Sequence, residues 1–151
     1  SLLSALAHDG APLVLQVLQA LASGQAVAKA QASEGISEAP MLAVSDAKVD
    51  WNTSAVVIDR LIRGVTPAPG AWTTLAGVRL CLGPVELVDA PQLEPGEVLA
   101  SKRQVLVGTA DGVVALGQVA PAGKKWMDAA AWARGARLAE HTVLGQEVEA
   151  N

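Results

Sequence analysis

The tetrapeptide Pro67-Ala68-Pro69-Gly70 constrains this chain more than any other stretch. Proline fixes φ, lacks a backbone donor and biases the residue before it away from helix, so neither a helix nor a central strand runs through it. The hydrophobic period changes there. Before it, Val57, Ile58, Leu61, Ile62 and Val65 recur at three- and four-residue spacing, which predicts an amphipathic helix over residues 52–65. Asn52 or Thr53 is placed to cap it, Asp59 can pair with Arg63 one turn on, and Arg60 and Arg63 share the polar face. After it, Val78, Leu80 and Leu82 alternate with Arg79 and Cys81, the period of a half-buried strand.

The two-residue period persists downstream. Val85, Leu87 and Val88 follow Pro84, which marks a bend. Residues 98–100, 105–107 and 113–119 predict further strands, joined by turns at Lys102-Arg103 and Ala110-Asp111-Gly112. Several short strands with glycine punctuation predict a small closed barrel. A last helix is expected from Met127 or Asp128 through Trp132 to Gly135, followed by a frayed tail after Leu138. Upstream, leucines at helical spacing predict helix over residues 2–23, broken in two by Gly10 and Pro12, with Gly24 as C-cap. Residues 25–40 are small, polar and aperiodic, and form the best candidate linker. The chain has no Phe and no Tyr, so Val, Leu, Ile, Ala and four Trp must fill the core.

Several chemistries are poorly served. The net charge of −4 opposes nucleic-acid binding by bulk electrostatics. Between Pro40 and Leu138, however, 10 Lys+Arg face 9 Asp+Glu, so a binding face must be a local patch. The single Cys81 allows neither an internal disulfide nor a Cys-based zinc site, and suits a reducing cytosol. No apolar run reaches membrane-spanning length. His8 and His141 have no nucleophile in a known arrangement and read as surface histidines, and no tight Asp/Glu/His cluster suggests a metal. The stretch Gly117 to Lys125 imitates a phosphate-binding loop and fails: five residues separate the glycines, Lys125 stands where Ser or Thr is needed, and Pro121 removes a donor.

Lys124-Lys125 beside Trp126 remains notable, because paired charge and a flat ring suit RNA backbone and base contacts. On spacing alone, a solvated turn with a core Trp is the simpler reading. Arg60/Arg63 and Lys102/Arg103 are individually no stronger.

A long ordered series of segments is more specific. Val49-Asp50-Trp51, then Ile58 to Thr73 (IDRLIRGVTPAPGAWT), Leu80-Cys81-Leu82-Gly83-Pro84-Val85, Pro95-Gly96-Glu97-Val98 and Gly108-Thr109-Ala110-Asp111-Gly112 lead to Gln118 through Met127 (QVAPAGKKWM) and Ala131 through Gly135. In order and spacing this resembles the C-terminal region of methionyl-tRNA formyltransferases, with an actinobacterial flavour, over about residues 1–138. The resemblance implies an α+β architecture: an N-terminal helical segment, a connector, then an OB-like small β-barrel with flanking helices. Residues 1–24 would be terminal helices of the formyltransferase catalytic domain, 25–40 a linker, 41–138 the C-terminal tRNA-binding domain and 139–151 a tail. Ser1-Leu2-Leu3 with Gly10 and Pro12 is also similar to the family's active-site loop. Ser4, however, replaces a Pro, and no His precedes Ser1, so those residues align with the later helices instead.

The implied function belongs to a parent enzyme. It transfers a formyl group from 10-formyltetrahydrofolate to the amino group of initiator methionyl-tRNA, in the cytoplasm. Its catalytic Asn, His and Asp would lie upstream of Ser1, so this fragment is expected to be inactive alone and to hold no cofactor. The expected partners are initiator tRNA and the missing catalytic domain, and no membrane. The candidate tRNA contacts are Arg60, Arg63, Lys102, Arg103, Lys124, Lys125 and Arg134. Two departures weaken the expected RNA affinity: Cys81 and Met41 stand where relatives commonly carry a base. The rival readings are the C-terminal domain of a UDP-amino-sugar formyltransferase or formyltetrahydrofolate dehydrogenase, and a purely structural packing module.

Overall fold

A computed structural model describes residues 2–146. The chain forms two compact units that part between Ala39 and Pro40. In the first unit, α1 (Leu2–Ala22) is one continuous helix with Pro12 inside it. The expected break at Gly10 and Pro12 is therefore corrected. Proline forfeits one bond to the carbonyl of His8, a cost of about 3 kcal/mol, but alanine and leucine, the best helix formers, dominate both sides. The helix stops at Gly24, whose φ of 69° takes the left-handed conformation. There Gln25 N donates to Ala20 O (2.9 Å) and Gly24 N to Leu21 O (3.1 Å), which satisfies two of the last carbonyls. Residues 25–39 contain no helix or strand.

The second unit opens with a 3₁₀ turn at Ser45–Ala47, then α2 (Ala55–Val65). Eight strands follow: β1 (Trp72–Leu75), β2 (Val78–Leu82), β3 (Val85–Val88), β4 (Val98–Ala100), β5 (Val105–Gly108), β6 (Val113–Leu116), β7 (Gln118–Pro121) and β8 (Met127–Asp128). They run directly into α3 (Ala129–Ala136). The N-cap of α2 is Ser54, not Asn52 or Thr53. Asn52 and Thr53 instead bond to Asp50, and Ala55 N donates across the fold to Asp111 Oδ1 (2.9 Å) in the β5–β6 turn. Of the expected apolar stripe, Ile58, Ile62 and Val65 are buried and Leu61 is half-buried, while Val57 faces outward.

The strands form two antiparallel four-stranded sheets, ordered β1-β2-β7-β8 and β3-β6-β5-β4. The expected OB-like barrel is thus overturned: the sheets do not close. The reason lies at two crossings. The chain passes between sheets at Gly83-Pro84 and again at Gly117, so the strand expected over residues 113–119 is really β6 and β7. Pro84 has no donor to extend a ladder, and Gly83 N makes a last bond to Gln118 O (2.8 Å). A Cβ on Gly117 would lie 2.9 Å from Pro84 O, so only glycine lets the two crossing backbones approach.

Irregular segments, not closure, cover sheet edges. Val49 N donates to Trp72 O (2.8 Å) along β1, and Leu144 bridges to Leu75. At the other sheet, Val98 N donates to Thr142 O (2.8 Å), and Val143 bridges to Glu97. The segment after Leu138 is therefore not a frayed tail: Leu144 is only 2% exposed. The rest of that expected tail, residues 147–151, lies outside the described residues. The core contains Val49, Ile58, Ile62, Leu80, Val105, Val107, Val114 and Val119, with Trp51 and Trp132 as its buried aromatics. Trp51 Nε1 donates to the buried Thr73 hydroxyl (3.0 Å), so the polar end of that ring is satisfied.

Candidate nucleic-acid interface

The β4–β5 turn is organised by one hydroxyl. Ser101 Oγ accepts from Gln104 N (3.1 Å) and Arg103 N (3.3 Å), leaving Lys102 and Arg103 exposed at the tip. Helix α3 meets this turn. Asp128 caps it by accepting from Ala131 N (2.9 Å), and Ala129, Ala130, Trp132 and Ala133 bury one face. That leaves Arg134 outward, where its Nη1 donates to Lys102 O (2.9 Å). Arg137 follows as the C-cap with φ 50°. The result is a shallow groove of about 440 Å³ lined by Ser101, Lys102, Arg134 and Arg137 among others, with no acid in its wall. Thus Lys102 and Arg134, 32 residues apart in sequence, are brought together. Arg137 was missed in the sequence, although it lies one helical turn after Arg134 and could have been found by that spacing.

The β7–β8 turn carries the second group. Lys124 N donates to Pro121 O (2.9 Å) and Ala122 N to Arg79 O (3.1 Å), while Gly123 supplies the positive φ of 72°. Lys124 and Lys125 are exposed, and Trp126 is 53% exposed, so it is not a core residue. Because α3 begins just after β8, this turn precedes the helix and the Lys102–Arg134–Arg137 groove lies at its far end. Eight residues of helix separate the two groups by about 12 Å.

The α2 arginines stand differently. Arg60 is exposed. Arg63 is held by Asp59, with Nε and Nη2 at 3.0 and 2.9 Å from Oδ2, and this hydrogen bond, then the carboxylate's charge, raises its pKa. A third basic feature was not anticipated as a site. The β1–β2 register pairs Trp72 with Cys81 and Thr74 with Arg79, so these side chains share one sheet face. The Arg79 guanidinium lies 4.6 Å and the Lys48 ammonium 5.6 Å from the Trp72 ring centroid. Trp72 Nε1 is anchored to Val44 O (2.8 Å), and Arg79 Nε is buried without a partner among the described residues.

His141 is exposed, as expected, yet it has a partner. Its Nδ1 lies 3.0 Å from Glu97 Oε1, a bond that, ahead of the Glu94 N–H, holds the Glu97 carboxyl below its ordinary pKa. Among the described residues, no three His, Cys, Asp or Glu side chains converge as a metal site, and no helix is long and apolar enough to cross a membrane.

Two antiparallel sheets flanked by α2 and α3, with basic residues at both ends of α3, define the class of the module. The family model for the formyl transferase C-terminal domain matches residues 41–137, and the chain belongs to that family. More particularly, it matches the C-terminal portion of methionyl-tRNA formyltransferases. It is 50% identical over 147 residues to that of Thermobifida fusca, covering 97% of this chain and 47% of the relative. It is 51% identical to that of Nocardioides sp., covering 95% and 46%. The chain spans about half the length of the curated relatives it matches. Among solved structures, a variant of HypX from Aquifex aeolicus shares the fold with TM-score 0.62 at 22% identity, over 84% of this chain and 23% of that one.

Proposed function

We propose that this chain is the tRNA-holding module of a methionyl-tRNA formyltransferase. The parent enzyme would transfer a formyl group from 10-formyltetrahydrofolate to initiator methionyl-tRNA in the cytoplasm. The observation that carries the holding role is the meeting of Lys102 and Arg134 from separate segments, with Arg103 and Arg137 beside them. Cations gathered around an acid-free groove suit phosphate oxygens, and phosphate contacts position an RNA without reading its sequence. Lys124, Lys125 and Arg60 would extend the track, while Arg63 would contribute less because Asp59 already holds it.

The test is binding of initiator tRNA to the chain from low to near-physiological salt. Each phosphate contact contributes about 0.7 to 0.9 to the slope of log K against log salt. Replacing Lys102 and Arg134 by Ala together should flatten that slope by about 1.4 to 1.8 and weaken binding across RNA sequences alike. An unchanged slope removes the groove from the interface.

A second role is favoured by α1, which buries none of its residues and leaves Leu13, Val14, Val17, Leu18 and Leu21 between 49 and 59% exposed. An apolar surface of this extent belongs against a partner. In this reading residues 1–24 are the terminal helical segment of the catalytic domain, residues 25–40 are the linker, and the partner is the remainder of that domain. Adding the separately produced catalytic segment should then protect the α1 amides from hydrogen exchange. Unchanged exchange would refute the assignment.

A further inference from the structure

Trp126 stands out among the tryptophans. Trp51 and Trp132 are buried and Trp72 is half-buried, while Trp126 is 53% exposed. Its indole N–H makes no hydrogen bond among the described residues. It helps line a pocket of about 340 Å³ together with Pro67, Leu82, Gly83, Pro84 and Gln118. Gly83 matters to this shape, because a Cβ there would come within 3.1 Å of Gln118 O and 3.6 Å of the Trp126 ring. A side chain at position 83 would crowd the pocket where Gln118 and Trp126 line it.

The chemistry of the walls is selective. An indole and two pyrrolidine rings put flat apolar groups in the lining, while the exposed Gln118 and the unused indole N–H are free to make polar contacts. No acid lines the pocket, and the two residues before Trp126 are the exposed Lys124 and Lys125. Charge complementarity therefore favours a flat aromatic group carried on a polyanion over an apolar peptide. Resting on the RNA-holding role, we infer that this pocket takes one unstacked base of a single-stranded segment of the bound RNA. The base stacks on Trp126, and the adjoining phosphates lie on Lys124 and Lys125.

The experiment uses the whole chain and three probes: a single-stranded oligoadenylate of about ten nucleotides containing 2-aminopurine, a base-free ribose-phosphate chain of that length, and initiator tRNA. Binding should quench the 2-aminopurine, and the base-free chain should bind about tenfold more weakly. Trp126→Leu should cut oligoadenylate affinity about tenfold while leaving the salt slope intact, and Trp126→Phe should restore most of it. Replacing Lys124 and Lys125 by Ala should instead flatten the slope by about 1.4. Equal binding of oligoadenylate and base-free chain overturns the base site, whatever the variants do. Salt-dependent tRNA binding in that case leaves the RNA-holding role standing. Absence of tRNA binding at low salt overturns both.

Discussion

Helices α1 and α2 present similar sequence signals and opposite outcomes. Both carry apolar residues at three- and four-residue spacing. The 11-residue α2 buries Ala55, Ile58, Ile62 and Val65 against the sheets, whereas the 21-residue α1 buries nothing. Periodicity announces that a helix has an apolar face. It does not say which surface covers it. For α2 the partner lies within the same unit, and Asp111, from the β5–β6 turn, accepts the Ala55 N–H at its first turn. For α1 none of the helix residues is buried, and the proposal that residues 1–24 pack on the rest of a catalytic domain would supply the missing cover.

The sharpest way to break this comparison is a matched pair of truncations. Ile62 is fully buried, so Ile62→Ala should destabilise the second unit by about 2–5 kcal/mol through lost transfer energy and the cavity left behind. Leu18→Ala in α1 should leave the same urea transition within about 0.5 kcal/mol, as surface substitutions do. A similar loss in both would mean that α1 is covered in solution. Leu144→Ala comes next. A loss of about 2–3 kcal/mol would establish that the returning segment belongs to the core with α2. No loss would return it to the class of α1. Smaller again is Asp111→Ala, which leaves Ala55 N without its acceptor and should cost about 1 kcal/mol, with no change in the α1 helical signal.

What the sequence disclosed follows the same division. Local rules were legible: the helix stop before Pro67, the Gly24 cap, the turns at Lys102-Arg103 and Ala110-Asp111-Gly112, and the α3 start at Asp128. What was missed depended on where chains cross. Gly117 looked like the interior of one strand, because only the approach of Pro84 O shows why a glycine is needed there. The difference between a barrel and two sheets rests on that crossing and its partner at Gly83, and not on the alternation of Val and Leu. The site divides likewise. Adjacent bases such as Lys124-Lys125 are visible in one dimension. The Lys102–Arg134 contact and the Lys48–Trp72–Arg79 stack need the register of distant segments. On spacing alone a core ring is the simpler reading of Trp126, and its 53% exposure corrects it. Its exposure follows from a turn that ends just before β8.

The smallest effect sharpens the comparison through pH. The segment carrying Leu144 is tied to the start of β4 by His141 and Glu97, an exposed pair at 3.0 Å. Glu97 is held below its ordinary value of 4.5, first by the hydrogen bond to His141 and then by the Glu94 N–H. A carboxyl whose folded pKa is depressed contributes stability above its unfolded pKa, and that contribution disappears as pH falls through the lower folded value. His141→Ala should therefore raise the Glu97 pKa toward 4.5 and lower the melting temperature slightly at neutral pH. Wild type and variant should converge as pH falls through the lowered Glu97 value, where the carboxyl is protonated in both. Following Glu97 by NMR and the melting temperature across that range checks both parts. A His141→Ala chain whose Glu97 titrates as before would show that the Glu94 N–H alone sets the shift, and that the returning segment is held by Leu144 and its backbone bonds without help from the His141 side chain.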